Sequence, residues 1–222
     1  MNKEMSVIVP AYNEEDAIVS TIKKLRIELP DAEIIIVDDY SKDATCKLAK
    51  NQGVRVIRHT KNRGYGGALK TGFKAAKTKY ISFLDADLTY LPKYLKLFLK
   101  RLKDRKLDVV WGNRFGGSKN DMPLVRKIGN RILATLFMLM TGRYVPDTAC
   151  GERVFTKKGL AMIDYETLPD GLDMITAMTK RIVARRLKYE IIGMDYHMRG
   201  GQSKLNIIKD FIRMARNIVI EK

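Results

Sequence analysis

Apolar residues fall along the chain in two alternating rhythms. Met5–Val9 is a short apolar run stopped by Pro10, the pattern of a buried strand. Glu14–Leu29 then sets Ala17, Ile18, Ile22, Leu25 and Leu29 at helical spacing. "EIIIVDD", Glu33–Asp39, predicts a second strand, buried on both faces. Asp43–Asn51 predicts a helix closed by Gly53, and "VRVIRH", Val54–His59, a third strand. "NRGYGGALKTGFKAA" predicts a glycine-rich loop entering a helix. "YISFLDAD", Tyr80–Asp87, predicts a fourth strand, Tyr94–Leu102 a helix, and "DVVWGNRF", Asp108–Phe115, a fifth strand. Strands alternating with helices through residue 115 imply a mostly parallel sheet with right-handed crossovers, an α/β fold.

Past Phe115 the rhythm changes. "GGSKNDMP" reads as a loop, and Leu124–Thr141 predicts a helix whose later part, "ILATLFMLM", is apolar almost all round. "PDTACGERVF" carries no clear period. Helices are expected near Lys158–Ile163 and over Met174–Arg186, and a strand at "YEIIGMDYHM". "RGGQSKLN" reads as a polar turn, and Ile207–Ile220 as an amphipathic helix. Trp111 and the Met138–Met140 group read as core. With no internal repeat, linker or low-complexity segment, residues 1–222 form one domain, with a specialised half after residue 115.

The 222-residue chain is 45% apolar, which is ordinary, but 42 Lys and Arg against 25 acids give a net charge of +17. That excess favours an anionic partner: nucleic acid, an acidic membrane surface or a phosphorylated substrate. A Lys-rich solvated surface also accounts for part of it. Because Lys is spread over every helix and not gathered in one aromatic-laced patch, a nucleic-acid-binding module is disfavoured. Cys46 and Cys150 lie far apart with no CxxC, so neither a zinc site nor a disulfide framework is indicated, and the chain reads as cytosolic. No apolar run is long enough for a signal-peptide core or a membrane span. "NRILATLFMLMTGR", Asn130–Arg143, is flanked by Arg131 and Arg143, as in a helix lying in a membrane interface. Ile207–Ile220, with Lys209, Arg213 and Arg216, reads equally as a membrane-side helix, either interfacial or a stub leading to transmembrane segments, or as a helix packed on the sheet.

Acids collect at the ends of the predicted strands. Asp38 and Asp39 end the second, and Asp85 and Asp87 the fourth. In open α/β sheets those ends line the ligand crevice. Two carboxylates on one edge repel unless a cation lies between them, and Mg²⁺ or Mn²⁺ prefers oxygen ligands. Strand alternation would turn Asp85 and Asp87 to one side. The plain alternative is a pair of turn aspartates capping the next helix. His59 and His197 show no metal spacing, and His59 reads as structural.

Several ordered motifs together resemble an inverting glycosyltransferase of family 2, in the dolichyl-phosphate mannose synthase and polyprenyl-phosphate glycosyltransferase branch. They are "VPAYNEE", "VDDYSKDAT", "NRGYGGALKTGF", "DADLTY", "GNRF", "DTACGERVF" and "RGGQSKLN". The resemblance spans nearly the whole chain and implies a GT-A fold. Residues 1–115 would be its nucleotide-sugar half and residues 116–222 its acceptor half. It further implies that Pro10, Tyr12 and Glu14 border the base and ribose, with Asp39 in contact and Asp38 in support. Asp85 and Asp87 would bind Mg²⁺ or Mn²⁺ and, through it, the diphosphate. Arg199, with Ser203 and Lys204, would close over the phosphates. Arg114, Arg126 and Asn130 would receive the acceptor's phosphate, as planar guanidinium donors suit its oxygens. Asn130 and Thr89 depart from the branch, which tends to have Ser and, in some members, Gln there. Asp147 and Asp173 occupy positions of candidate bases but read as structural. A phosphate acceptor is already ionised near neutral pH and needs positioning more than a base. The glycines of "GYGGALKTG", which fit no P-loop or dinucleotide pattern, are expected to let that loop pack closely on the nucleotide.

The implied activity is metal-dependent, inverting transfer of a hexose from a GDP- or UDP-sugar to a membrane polyprenyl (dolichyl) phosphate. The enzyme would sit peripherally on the cytoplasmic face of a membrane. A family relative acting on a hydroxyl acceptor is the alternative, and it would need a general base near the sugar.

Overall fold

The computed structural model describes residues 3–87, 89–197 and 207–220. The elements run β1 (Met5–Ala11), α1 (Ile18–Glu28), β2 (Glu33–Asp38), α2 (Thr45–Asn51), β3 (Arg55–Arg58), α3 (Gly64–Ala75), β4 (Tyr80–Phe83) and α4 (Lys93–Asp104). The second half adds β5 (Val109–Asn113), α5 (Leu124–Thr141), β6 (Arg153–Thr156), α6 (Lys157–Met162), α7 (Met174–Ala184), β7 (Tyr189–Gly193) and α8 (Ile207–Ile220).

Among the described residues the strands form one seven-stranded sheet in the order β3-β2-β1-β4-β6-β5-β7. Only β6 runs against its neighbours, β4 and β5. The register puts Val7 beside Ile34 on one side and Ser82 on the other, so β1 lies in the middle of the parallel half. Every residue of β1 is buried, as a strand covered on both faces requires. Helix α1 meets the sheet with Ile18, Thr21, Ile22 and Leu25, at steps of one, three and four.

Four expectations are corrected. The fourth strand ends at Phe83, so Asp85 and Asp87 are not strand residues and pleat alternation does not orient them. The glycine-rich segment is itself helix: α3 begins at Gly64. Its glycines serve protein packing. A side-chain carbon at Gly66 would collide with the Pro169 carbonyl, and one at Gly72 with Ile8 of β1. Met138 and Met140 are exposed, not core, with Leu139 between them 73% exposed. Strand β6, which the sequence concealed, lies inside the sheet between β4 and β5. Its Arg153 is wholly buried, donating to the Cys150 carbonyl and the Thr179 hydroxyl, with its guanidinium 5.4 Å above the Trp111 ring. A charged residue at a core position broke the apolar signature. The core assignment of Trp111 is correct, since it is completely buried.

Candidate functional site

A cleft of about 500 Å³ opens at the carboxyl ends of β1, β2 and β4. Pro10, Tyr12, Glu14, Asp39, Asp85, Asp87, Thr89, Arg114, Arg126 and Asn130 all line it. The sequence therefore named residues from widely separated segments that the fold brings to one surface. Asp38 is not among them. It is wholly buried, paired with Arg58 Nε at 3.1 Å and accepting from the Ser41 N–H at 3.3 Å. Its role is to hold the β2–α2 turn. Arg199, Ser203 and Lys204 lie outside the described residues.

Asp39 is fixed on several sides. His59 Nδ1 donates to its Oδ1 at 2.6 Å, and the backbone N–H groups of Arg63 and Gly64 donate to Oδ1 and Oδ2, each at 2.8 Å. His59 is thus structural, and what it positions is a wall of the cleft. Gly64 has φ +83° and lies against the Asp170 carbonyl, so glycine is required where the chain turns toward Asp39.

The Asp85–Asp87 turn is tied down by its neighbours. The Thr21 hydroxyl of α1 donates to the Ala86 carbonyl at 2.7 Å. The Tyr65 hydroxyl donates to Asp85 Oδ1 at 2.7 Å, and the Thr89 N–H to Asp87 Oδ1 at 3.0 Å. Burial, reinforced by the charge of Asp85, pushes the Tyr65 phenol well above its usual range. Mg²⁺ and Mn²⁺ are typically held by one or two carboxylates plus phosphate oxygens, not by a full protein cage, and this pair of acids fits that demand.

Arg114 is buried beside Asp147, which is completely so. Its Nε and Nη2 both donate to the Asp147 carboxylate at 2.7 Å, a bidentate pair. Burial alone would lower the Arg114 pKa, but the Asp147 carboxylate outweighs it and holds the guanidinium well above its ordinary value. Arg114 also reaches the Tyr90 hydroxyl and Asn130 Oδ1 at 3.5 Å each. Asn130 Nδ2 donates to the Arg126 carbonyl at 3.0 Å, one turn earlier in α5. Asp147 is therefore Arg114's counterion. Asp173, just before α7, accepts from Asn217 of α8 at 2.6 Å, a fastening between helices.

Sequence reasoning missed Tyr65, Tyr90, Asn62 and Tyr196, all of which line the cleft. Tyrosines carry no spacing signature, and only the fold shows which of the chain's 10 face the acids. Leu133 of α5 and Phe211 and Met214 of α8 add apolar lining to the cleft.

A model of "Glycosyl transferase family 2" matches residues 6–163. A UDP-N-acetylglucosamine–dolichyl-phosphate N-acetylglucosaminyltransferase of Methanococcus voltae is 31% identical over 96% of this chain and 95% of its own length. A dolichyl-phosphate hexose transferase of Haloferax volcanii is 30% identical, covering 97% and 92%. In fold the chain is similar to glucosyl-3-phosphoglycerate synthase of Mycobacterium tuberculosis, solved with Mn²⁺, UDP-glucose and phosphoglyceric acid. That match has a TM-score of 0.75 at 18% identity over 98% of this chain and 79% of that one. With its GT-A architecture and motifs in place, the chain belongs to glycosyl transferase family 2 and is a hexosyltransferase of the branch that includes dolichyl-phosphate sugar transferases.

Proposed function

We propose that this enzyme transfers a hexosyl group from a UDP-sugar to a polyprenyl phosphate at a membrane surface, inverting the anomeric carbon. The observation that carries the reading is the continuity of one cleft. Its lining brings together Asp39, Asp85 and Asp87, Arg126 and Asn130, and apolar residues of α5 and α8. A donor with a charged diphosphate and an acceptor with a phosphate head and hydrocarbon tail match those groups. The relatives named for dolichyl phosphate support the acceptor. The UDP in one relative's name and in a structural neighbour supports uridine over guanosine.

In this reading Asp85 and Asp87 would hold Mg²⁺ or Mn²⁺, which when bound would supply neutralisation of the diphosphate's charge. Pro10, Tyr12 and Asp39 seat the nucleoside. Arg126, partly exposed at the start of α5, takes the acceptor phosphate. Arg114 shares that zone but is committed to Asp147, so it acts more through Asn130 and Tyr90 than as a free clamp. The acceptor phosphate is its own nucleophile, and its placement supplies most of the acceleration. Arg199 and Lys204, outside the described residues, retain their assignment over the diphosphate.

Membrane contact belongs to the same reading. Among the described residues no helix is long and apolar enough to cross a membrane. Leu124, Val125, Ile128, Ile132 and Leu139 of α5 and Ile208, Ile212 and Val219 of α8 are exposed at helical spacing. Basic side chains border both stripes.

The test is a screen of radiolabelled UDP- and GDP-sugars with a short polyprenyl phosphate and Mn²⁺ or Mg²⁺, followed by extraction into organic solvent. Label in the organic phase from a UDP-sugar, dependent on the metal, is the expected result. Label only from GDP-sugars removes the uridine assignment, and none from any donor removes the acceptor assignment.

A further inference from the structure

We infer that Tyr65 is a positioning residue for the metal-binding carboxylate Asp85, and that the start of α3 links Asp85 to Asp39. The inference rests on the reading of Asp85 and Asp87 as metal ligands.

Three observations carry it. First, the Tyr65 hydroxyl donates to Asp85 Oδ1 at 2.7 Å, and both residues line the cleft. Second, Tyr65 follows directly on Arg63 and Gly64, whose backbone N–H groups hold Asp39. The first residues of α3 and its N-cap therefore grip both Asp39 and Asp85. Third, that segment is anchored from behind. Gly67 N–H donates to the Asp170 carbonyl at 3.1 Å, and Gly64 and Gly66 lie against the backbone of residues 169–170. Gly151 covers the pair from the other side: a side-chain carbon there would come within 3.3 Å of the Tyr65 hydroxyl and 3.8 Å of Asp85 Oδ1.

A carboxylate on a short turn can rotate about two side-chain bonds. A hydrogen bond from a half-buried phenol to one oxygen fixes the plane of the group and the direction of the other oxygen. Outer partners of this kind commonly set metal affinity by 10- to 100-fold. Residues placed this way act before chemistry. They decide how much metal is bound, not how fast the loaded complex reacts.

The experiment is Tyr65→Phe in the full chain, with Mn²⁺ binding followed by electron paramagnetic resonance in the presence of UDP. The expected result is a Kd for Mn²⁺ raised about tenfold or more. UDP binding without metal and the thermal midpoint should stay near wild type, and the transfer rate should recover at high Mn²⁺. A Kd within twofold of wild type overturns the proposal, and so does a rate deficit that high Mn²⁺ does not restore. If the variant folds poorly, Gly151→Ala replaces it, since its methyl presses on the same hydroxyl while leaving the phenol in place; an unchanged Kd there overturns the proposal. Wild-type protein that binds no Mn²⁺ with UDP present would instead overturn the metal reading beneath it.

Discussion

Arg114 and Asp147 form a pair that neither member can leave without harm. Both are buried and joined by two 2.7 Å hydrogen bonds. Removing one partner of such a pair strands a desolvated charge, which typically destabilises by about 3–5 kcal/mol. Asp147→Ala is therefore expected to lower the urea midpoint by that order and to disturb Tyr90 and Asn130. Unchanged stability would mean that water reaches Arg114. Asp87→Ala tests chemistry in place of packing: it should abolish transfer and weaken metal-dependent nucleotide binding while leaving the fold intact, as titration with UDP and Mn²⁺ would report. Glu152 is a different kind of residue. It is completely buried, and neither carboxyl oxygen has a hydrogen-bond partner among the described residues. Burial, and secondarily the charge of Asp85, pushes its pKa well above the ordinary value. The folded protein thus keeps a proton that the unfolded chain releases near pH 4.3. Between those two pKa values the folded state binds more protons, so stability falls as pH rises, with a limiting slope of about 1.4 kcal/mol per pH unit. Glu152→Gln should remove that slope in urea melts run from pH 5 to 9. Identical pH profiles for the two proteins would show that Glu152 finds a partner.

At the scale of elements, the helices and parallel strands were legible because each repeats one period for long enough to be read. The α5 and α8 boundaries, Leu124–Thr141 and Ile207–Ile220, follow from apolar stripes, and β1 and β2 from unbroken apolar runs. Strand β6 was not legible: it has four residues, one a buried arginine that only Trp111, Thr179 and nearby carbonyls make tolerable. Of the cleft lining, Asp39, Asp85 and Asp87 could be named because motif order places them, whereas Tyr65 and Tyr90 could not, since a hydroxyl's partner depends on how loops meet. The glycines of α3 were misread for the same reason. Glycine in a helix interior disfavours it by about 1 kcal/mol relative to Ala, so a helix rich in glycine needs a packing cause. Here the cause is Ile8 and the 169–170 backbone. Gly72→Ala should accordingly destabilise by about 1–3 kcal/mol through overpacking, despite its gain in helix propensity. A Gly72→Ala protein more stable than wild type in thermal unfolding would mean that the α3–β1 contact is loose enough to absorb a methyl.

On the scale of the whole molecule, the +17 charge and the apolar stripes ask for the same partner and can be separated by experiment. Electrostatic attraction to an anionic bilayer is screened by salt, because the Debye length falls from about 10 Å at 0.1 M to about 3 Å at 1 M. Burial of apolar side chains in the interface is not weakened that way. Basic residues alone would give binding that disappears in high salt, and apolar stripes alone would give binding indifferent to lipid charge. A protein that uses both should co-float with anionic vesicles at low salt and keep a reduced fraction bound at 1 M. Ile132, Leu139 and Ile212 are 52%, 73% and 60% exposed, so changing all three to Gln removes apolar surface without opening the core. The triple variant should lose the salt-resistant fraction, retain its thermal midpoint, and turn over a short water-soluble polyprenyl phosphate better than a long one held in vesicles. Flotation equal to wild type at both salt concentrations would return α5 and α8 to a purely structural role. In the proposed reading, the lipid acceptor would then have to reach Arg126 without the enzyme resting on the bilayer.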